Sequence, residues 1–478
     1  MKGQRRETEF DERYRTESES ERAENCISSA RRNARDVIST LPDSLLCHIL
    51  SFLPTLDAIR TSILSSRWRP PWTLLPILYF NHRDLPQITH PLEDIVSSVL
   101  TLRNTGPDPA PIHKLRIFLF NCCVSTHLET WVAASIRLCL QELELNLQSS
   151  KTSELPRSIF FSTTLAVLKL NGDILLNPPP SSALLPSLNI MKLEYVSYAN
   201  RDSLSTLLAA CPFLRDLTIK LSSSCLPNYM DKYAGTYGVN AIILIPTLKR
   251  LHFHWPVICW PYKVHINTPA LEYFHFTGVL NEDFVLEKLP NVVESVVEVL
   301  QFLRDVDYAK KVWDFMGQFC NVISMELITT TAEILSYASN RDNIPMFHNL
   351  SSLSFSVLHF IEWHAIQLLL HQAPKLQILV VKPLQNYVHY GIRTDGYLKE
   401  PLTVPECLSS HLTTFHYNQF SGNEYEMEFV RQLLMAVGVL KTMRITVKSA
   451  LDSEVKLLVH EKLSEYQRSS QSCQIAFD

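Results

Sequence analysis

The chain has 478 residues, 46% of them hydrophobic, and 44 basic residues stand against 48 acidic ones for a net charge of −4. That balance supplies no basic face for a phosphate backbone, so nucleic acid is excluded as the expected partner. No run of about 18 apolar residues occurs and the charged start MKGQRRETEFDERYRTESES lacks the apolar core of a secretory signal, so no membrane association is expected.

Residues 1–35 mix Arg and Glu with few apolar residues and no periodicity; such a segment cannot bury enough surface to offset its ordering entropy, and a disordered tail is expected. Periodicity begins at Leu41. In DSLLCHILSFLP the residues Leu45, Leu46, Ile49, Leu50 and Leu53 form a helical stripe, with Pro42 suited to the first turn and Pro54 ending the helix. Thr55 is placed to cap a second helix carrying Leu56, Ile59 and Ile63. A third short helical piece carries Leu64 and Trp68 and is expected to end there, because Pro70-Pro71 breaks a helix.

From about Ile112 a strand-like hexamer, apolar-x-x-apolar-x-apolar, recurs to the end of the chain. LQELEL (140–145), LAVLKL (165–170), LRDLTI (214–219), LKRLHF (248–253) and LSSLSF (350–355) are clear copies, with weaker ones starting at Ile112, Val293 and Val322. Thirteen copies average roughly 27 residues apart, within the leucine-rich-repeat range. LLAACPFL (207–214), LLHQAPKL (369–376) and LLMAVGVL (433–440) place a helical Leu-Leu pair at one fixed distance before the strand, with Pro212, Pro374 or Gly438 in the slot where a helix ends. Each unit reads as helix, stop, short strand, and such units stack into a parallel sheet with helices on the outer side.

At LPDSLLCHILSFLPTLDAIRTSILSSRW (41–68) the sequence resembles the F-box of plant F-box/FBD/leucine-rich-repeat proteins. VPECLSSHL (404–412), EMEFVRQLLMAVGVLKTMRI (426–445) and SCQIAFD (472–478) are similar to that family's terminal FBD. The fold class is therefore expected to be α/β: a leucine-rich-repeat solenoid with a parallel β-sheet over 81–400, preceded by a small three-helix F-box over 36–80 and continued by an FBD-like domain over 401–478. The resemblance implies a non-catalytic substrate receptor of a Skp–cullin–F-box ubiquitin ligase, meeting cullin through a Skp-type adaptor. The residues it implies for adaptor contact are Leu41, Pro42, Leu45, Leu46, Ile49, Leu50, Phe52, Leu53, Ile59, Leu64 and Trp68. Arg69-Pro70-Pro71-Trp72 departs from the family pattern and makes Trp68 the expected limit of docking. The alternative is a repeat scaffold with a degenerate F-box.

The residue between the second and third apolar positions of each hexamer is expected on the concave side. That places Lys169, Lys192, His252 and His275 there, with His254 two residues on and Trp255 beside it, as candidate substrate contacts against the alternative of an ordinary solvated face. No Cys or carboxylate stands at ligand spacing beside these histidines, so no metal is expected. G-x-S-x-G, H-E-x-x-H and phosphate-cradling motifs do not occur, so neither a catalytic residue nor a cofactor is expected. Eleven cysteines without a C-x-x-C pair suit a reducing compartment, and nucleus and cytoplasm both fit.

Overall fold

A computed structural model of the chain describes residues 41–84, 91–105, 109–120, 125–149, 151–180, 183–221, 239–255, 263–300, 305–338, 344–357, 363–383, 404–449 and 451–477. The expected disordered tail, 1–35, lies outside these residues, as do most of 222–240 and all of 385–402, which interrupt the repeat pattern.

Each hexamer becomes one strand, and the strands join into one parallel sheet in chain order. They are β1 (Ile77–Asn81), β2 (Lys114–Phe120), β3 (Glu142–Gln148), β4 (Val167–Gly172), β5 (Ile190–Glu194), β6 (Asp216–Lys220), β7 (Arg250–His254) and β8 (Tyr273–Gly278). The series continues with β9 (Glu294–Val299), β10 (Ser324–Ile328), β11 (Ser352–Val357), β12 (Ile378–Pro383), β13 (Thr414–Phe420), β14 (Thr442–Val447) and β15 (Gln474–Phe477). The hexamer sets the register: Leu143, Leu168, Met191, Leu217, Leu251 and Phe274 align strand to strand and are all fully buried. A slip of one residue would turn every one of these side chains to solvent. The FBD region continues the same sheet as β13 to β15.

Three expectations about the units are corrected. The weak copy expected at Val293 starts at Val292, because Ser295 aligns with Phe274 and Met325 in the covered row. A serine at an apolar position hid the frame; it is fully buried and its hydroxyl has no partner among the described residues. The first copy is not at Ile112. LPILYF (75–80) already carries the pattern, with Leu75, Leu78 and Phe80 buried, and β1 pairs with β2, so the expected F-box boundary at 80 falls inside the first strand. Finally, helices cover only part of the outer side. Between β3 and β9 the connections also form two three-stranded parallel ribbons, 153–154/174–176/197–198 and 241–244/264–267/284–286.

At the amino end, α1 (Asp43–Leu50) and α2 (Thr55–Arg60) are followed by 3₁₀ turns at Thr61–Ile63, Ser66–Trp68 and Pro71–Leu74. Pro71 starts the last of these, where its fixed φ suits the turn, and Thr73 N–H donates to Pro70 O at 3.0 Å. The double proline therefore ends one turn and begins another, and Trp72 is buried. Thr55 does not cap its helix. It lies inside the helix, and its hydroxyl accepts from Tyr79 N–H at 2.7 Å, tying α2 to β1. Arg103, on α3 (Leu92–Asn104), is buried and donates to Leu75 O at 2.8 Å and to Ala110 O at 3.1 Å, so the helical end is fastened to the first two units. Gly172 ends β4 with φ +90, and a Cβ there would stand 2.1 Å from Leu147 O on the adjoining strand. That close approach requires glycine.

Candidate functional surfaces

Two surfaces hold the residues singled out by sequence. The first is the helical end. A stripe at i, i+1, i+4, i+5 and i+8 is wider than one face of a short helix, and the fold divides it. Leu46 and Leu50 are fully buried in the chain's own core, while Leu45, Ile49 and Leu53 stand exposed and Phe52 is 75% exposed. Leu64 and Pro42 are exposed as well; Leu41 and Ile59 are half-buried against the core. Leu46, Leu50 and Trp68 are thus corrected from contact residues to packing residues, because their side chains are spent holding the helices together.

Ile63, 86% exposed, was read from its spacing as part of the packed stripe of α2. That helix stops at Arg60 and tightens into a 3₁₀ turn, which rotates Ile63 out beside Leu64. The helical end thus leaves Leu45, Ile49, Phe52, Leu53, Ile63 and Leu64 in water within twenty residues of chain. Arg67, donating to Leu41 O at 2.7 Å and to Asp43 at 3.0 Å, closes the segment under them.

The second surface is the open face of the sheet. Register places Arg116, Glu144, Lys169, Lys192, Thr218, His252 and His275 in one continuous row, as the hexamer spacing predicts. The row beside it carries Lys114, Glu142, Asp216, Arg250 and Tyr273. Lys114 and Lys169 both reach Glu142, at 2.7 and 3.0 Å. Burial pushes the Glu142 carboxyl up, but the two ammonium groups outweigh it and hold the carboxyl below its ordinary range. Arg116 pairs with Glu144 and Lys220 with Glu194, each at 2.9 Å.

Further along, the histidines form an uncharged shelf. The rings of His252 and His275 lie 5.4 Å apart and Tyr273 is 4.9 Å from His252. Burial, then the charges of Arg250, Lys192 and Lys220, push His252 down. Burial and the neighbouring His252 push His275 down to about 4, and burial with Lys220 lowers His254. At neutral pH these rings are neutral hydrogen-bonding partners with flat apolar faces. Beyond them, Glu326 accepts from Ser356 at 2.6 Å and Lys382 at 2.7 Å.

Sequence reasoning missed Tyr273, Arg250 and the Glu326–Lys382 pair, although strand alternation could have placed the first two. Trp255 is corrected. It is 3% exposed and packs on Phe253 at 5.4 Å, because alternation carries residue 255 to the covered face together with 251 and 253. Among the described residues no group of His, Cys, Asp and Glu could hold a metal ion, and no helix is long and apolar enough to cross a membrane.

Comparison with known proteins matches three family models in the order of the architecture. They are the F-box domain over residues 38–69, the LRR repeats of FBD-associated F-box protein At5g56370 over 128–230, and FBD over 400–445. The chain is 30% identical to F-box/LRR-repeat protein At4g14096 of Arabidopsis thaliana, covering 79% of each chain. It is 29% identical to F-box/FBD/LRR-repeat protein At3g52680 of the same plant, covering 93% of each, and 27% identical to F-box/FBD/LRR-repeat protein At4g26340 over that protein's whole length.

Proposed function

Because the chain belongs to the F-box/FBD/LRR-repeat family, we propose that it is a substrate-recruiting subunit of a Skp–cullin–F-box ubiquitin ligase. The exposed ridge of Leu45, Ile49, Phe52, Leu53, Ile63 and Leu64 docks on a Skp-type adaptor, which carries the cullin. The open face of the repeat sheet holds the protein to be modified, and the chain contributes no bond-making chemistry of its own.

The observation that carries this reading is the ridge itself. Six large apolar side chains are exposed within the twenty residues 45–64. Fully burying each would contribute roughly 1.5–3 kcal/mol, so a partner with an apolar groove gains most of its affinity there. The 3₁₀ turn begun by Pro71 and the burial of Trp68 and Trp72 seal the ridge's far edge against the chain's own core. Docking then ends at Leu64, four residues short of the limit read from the sequence.

The test is co-expression with a Skp-type adaptor and co-elution through gel filtration. Wild type is expected to co-elute, and Leu45→Asp combined with Ile49→Asp to elute alone with an unchanged melting temperature. Co-elution of the double variant would refute the assignment of the ridge. Failure of the wild type to bind would favour the scaffold alternative, in which the repeats act without a ligase.

A further inference from the structure

The charges on the open face from β2 to β7 do not cancel. Lys114, Arg116, Lys169, Lys192, Lys220 and Arg250 are six cations, and Glu142, Glu144, Glu194 and Asp216 are four anions. Two lysines share Glu142, Arg116 and Lys220 have a carboxylate each, and Arg250 stands 3.7 Å from Asp216. Lys192 is exposed and has no acidic partner among the described residues. The histidines next along are neutral and contribute no charge. Two positive charges are left over: one is Lys192, and the other is the charge that Lys114 and Lys169 share over Glu142.

The two meet at the strand pair β4–β5, where Lys169, half-satisfied by the shared Glu142, is the register partner of Lys192. Neighbouring strands lie about 4.8 Å apart, and like charges directly opposite each other destabilise a sheet. The two lysines border a depression of about 240 Å³, walled by Phe118 and the amides of Asn146 and Asn171. It has room for one side chain and an apolar wall for its stem. Glu144 and Glu194 also reach its rim, but Arg116 and Lys220 already neutralise them.

We propose that this depression receives an acidic side chain of the recruited protein, an Asp or Glu carboxylate lodged between Lys169 and Lys192. The inference rests on the reading of the open face as the substrate surface and specifies what that surface selects. A carboxylate fits better than a phosphoryl group. A dianion would meet the rim carboxylates of Glu144 and Glu194 with twice the charge of a carboxylate, and each of those already shares its one cation. His252 lies two strands farther on and Tyr273 three, so residues beyond the acid reach flat rings after the paired charges of β6.

The experiment uses the full chain co-purified with its Skp-type adaptor and screened against displayed random, unmodified peptides. Wild type is expected to enrich peptides with Asp or Glu at one fixed position, and changing that residue to its amide is expected to weaken binding at least about tenfold. Lys192→Glu is expected to lose these peptides and enrich Lys or Arg at the same position. Lys192→Gln, which adds no charge, is expected to weaken binding without reversing the preference. Enrichment without an acidic position, or equal binding of the acidic peptides to all three proteins, would overturn the proposal. Tighter binding of a phosphoserine version than of the carboxylate would overturn the choice of ligand. Adaptor retention is read in the same preparation. Acidic peptides bound by a chain that keeps no adaptor would refute the ligase role and leave this site standing.

Discussion

Leu50 ends α1 and Phe52 follows two residues on, and the two are expected to fail in opposite ways. Phe52 is 75% exposed and Leu50 is fully buried. Replacing Phe52 by Asp removes an edge contact with the His48 ring at 4.9 Å, so the free protein should change stability by no more than about 1 kcal/mol. On the adaptor the same ring would be buried, at roughly 1.5–3 kcal/mol, which is about a ten- to hundredfold loss of affinity before any cost of placing a carboxylate in an apolar groove. Leu50→Ala opens a cavity under α1 and should cost about 2–5 kcal/mol of stability. Its effect on affinity should vanish once the measurement is confined to the folded fraction. Calorimetric titration with a recombinant Skp-type adaptor, paired with thermal unfolding of each variant alone, separates the two. If Phe52→Asp destabilised the free chain as much as Leu50→Ala, or if the folded Leu50→Ala protein lost more affinity than Phe52→Asp, the division of the stripe into ridge and core would be wrong.

Three further outcomes are expected. Thr55→Val removes the acceptor of the Tyr79 N–H and should cost about 1–3 kcal/mol, with faster hydrogen exchange at Tyr79 as the local signature. Gly172→Ala meets both a left-handed φ and a Cβ 2.1 Å from Leu147 O; it should lower stability by more than about 1 kcal/mol, measured by urea unfolding, whereas Gly438→Ala, with open space around it, should not. The third concerns pH. His275 binds its proton at about 4 in the folded chain and nearer 6.5 when unfolded, so below neutrality the unfolded state holds more protons. Stability should be complete above about pH 6.5 and fall as the pH drops towards 4, and His275→Asn should flatten that slope; an unchanged slope would show that the ring is not held neutral by burial.

Much of the architecture was legible because it is periodic. A parallel sheet built from one strand per unit repeats its apolar positions at fixed spacing, so the copies at 140–145, 165–170 and 248–253 gave strand, register and open face together. The same rule placed Lys169, Lys192, His252 and His275 in one row. Where the period is broken by chemistry, sequence reading slipped. Ser295 in a covered row moved a frame by one residue, and the first strand, LPILYF, was absorbed into the helical module that precedes it.

What local pattern determined, then, is which residues are apolar, at what spacing, and hence that the chain stacks repeats behind a helical end. What it left undecided is which side of an apolar segment meets the core. Leu45 and Leu46 are the same residue type on adjacent positions; only the packing of α1 against the turn at Pro71–Leu74 exposes one and buries the other. The pairing of charges is likewise a property of neighbouring strands and not of neighbouring residues. Glu142 meets Lys114 and Lys169 across two connections of the chain, and Glu194 turns to Lys220, so Lys192 has no acidic partner among the described residues. Both outcomes depend on distances between segments remote in sequence, which no local periodicity encodes.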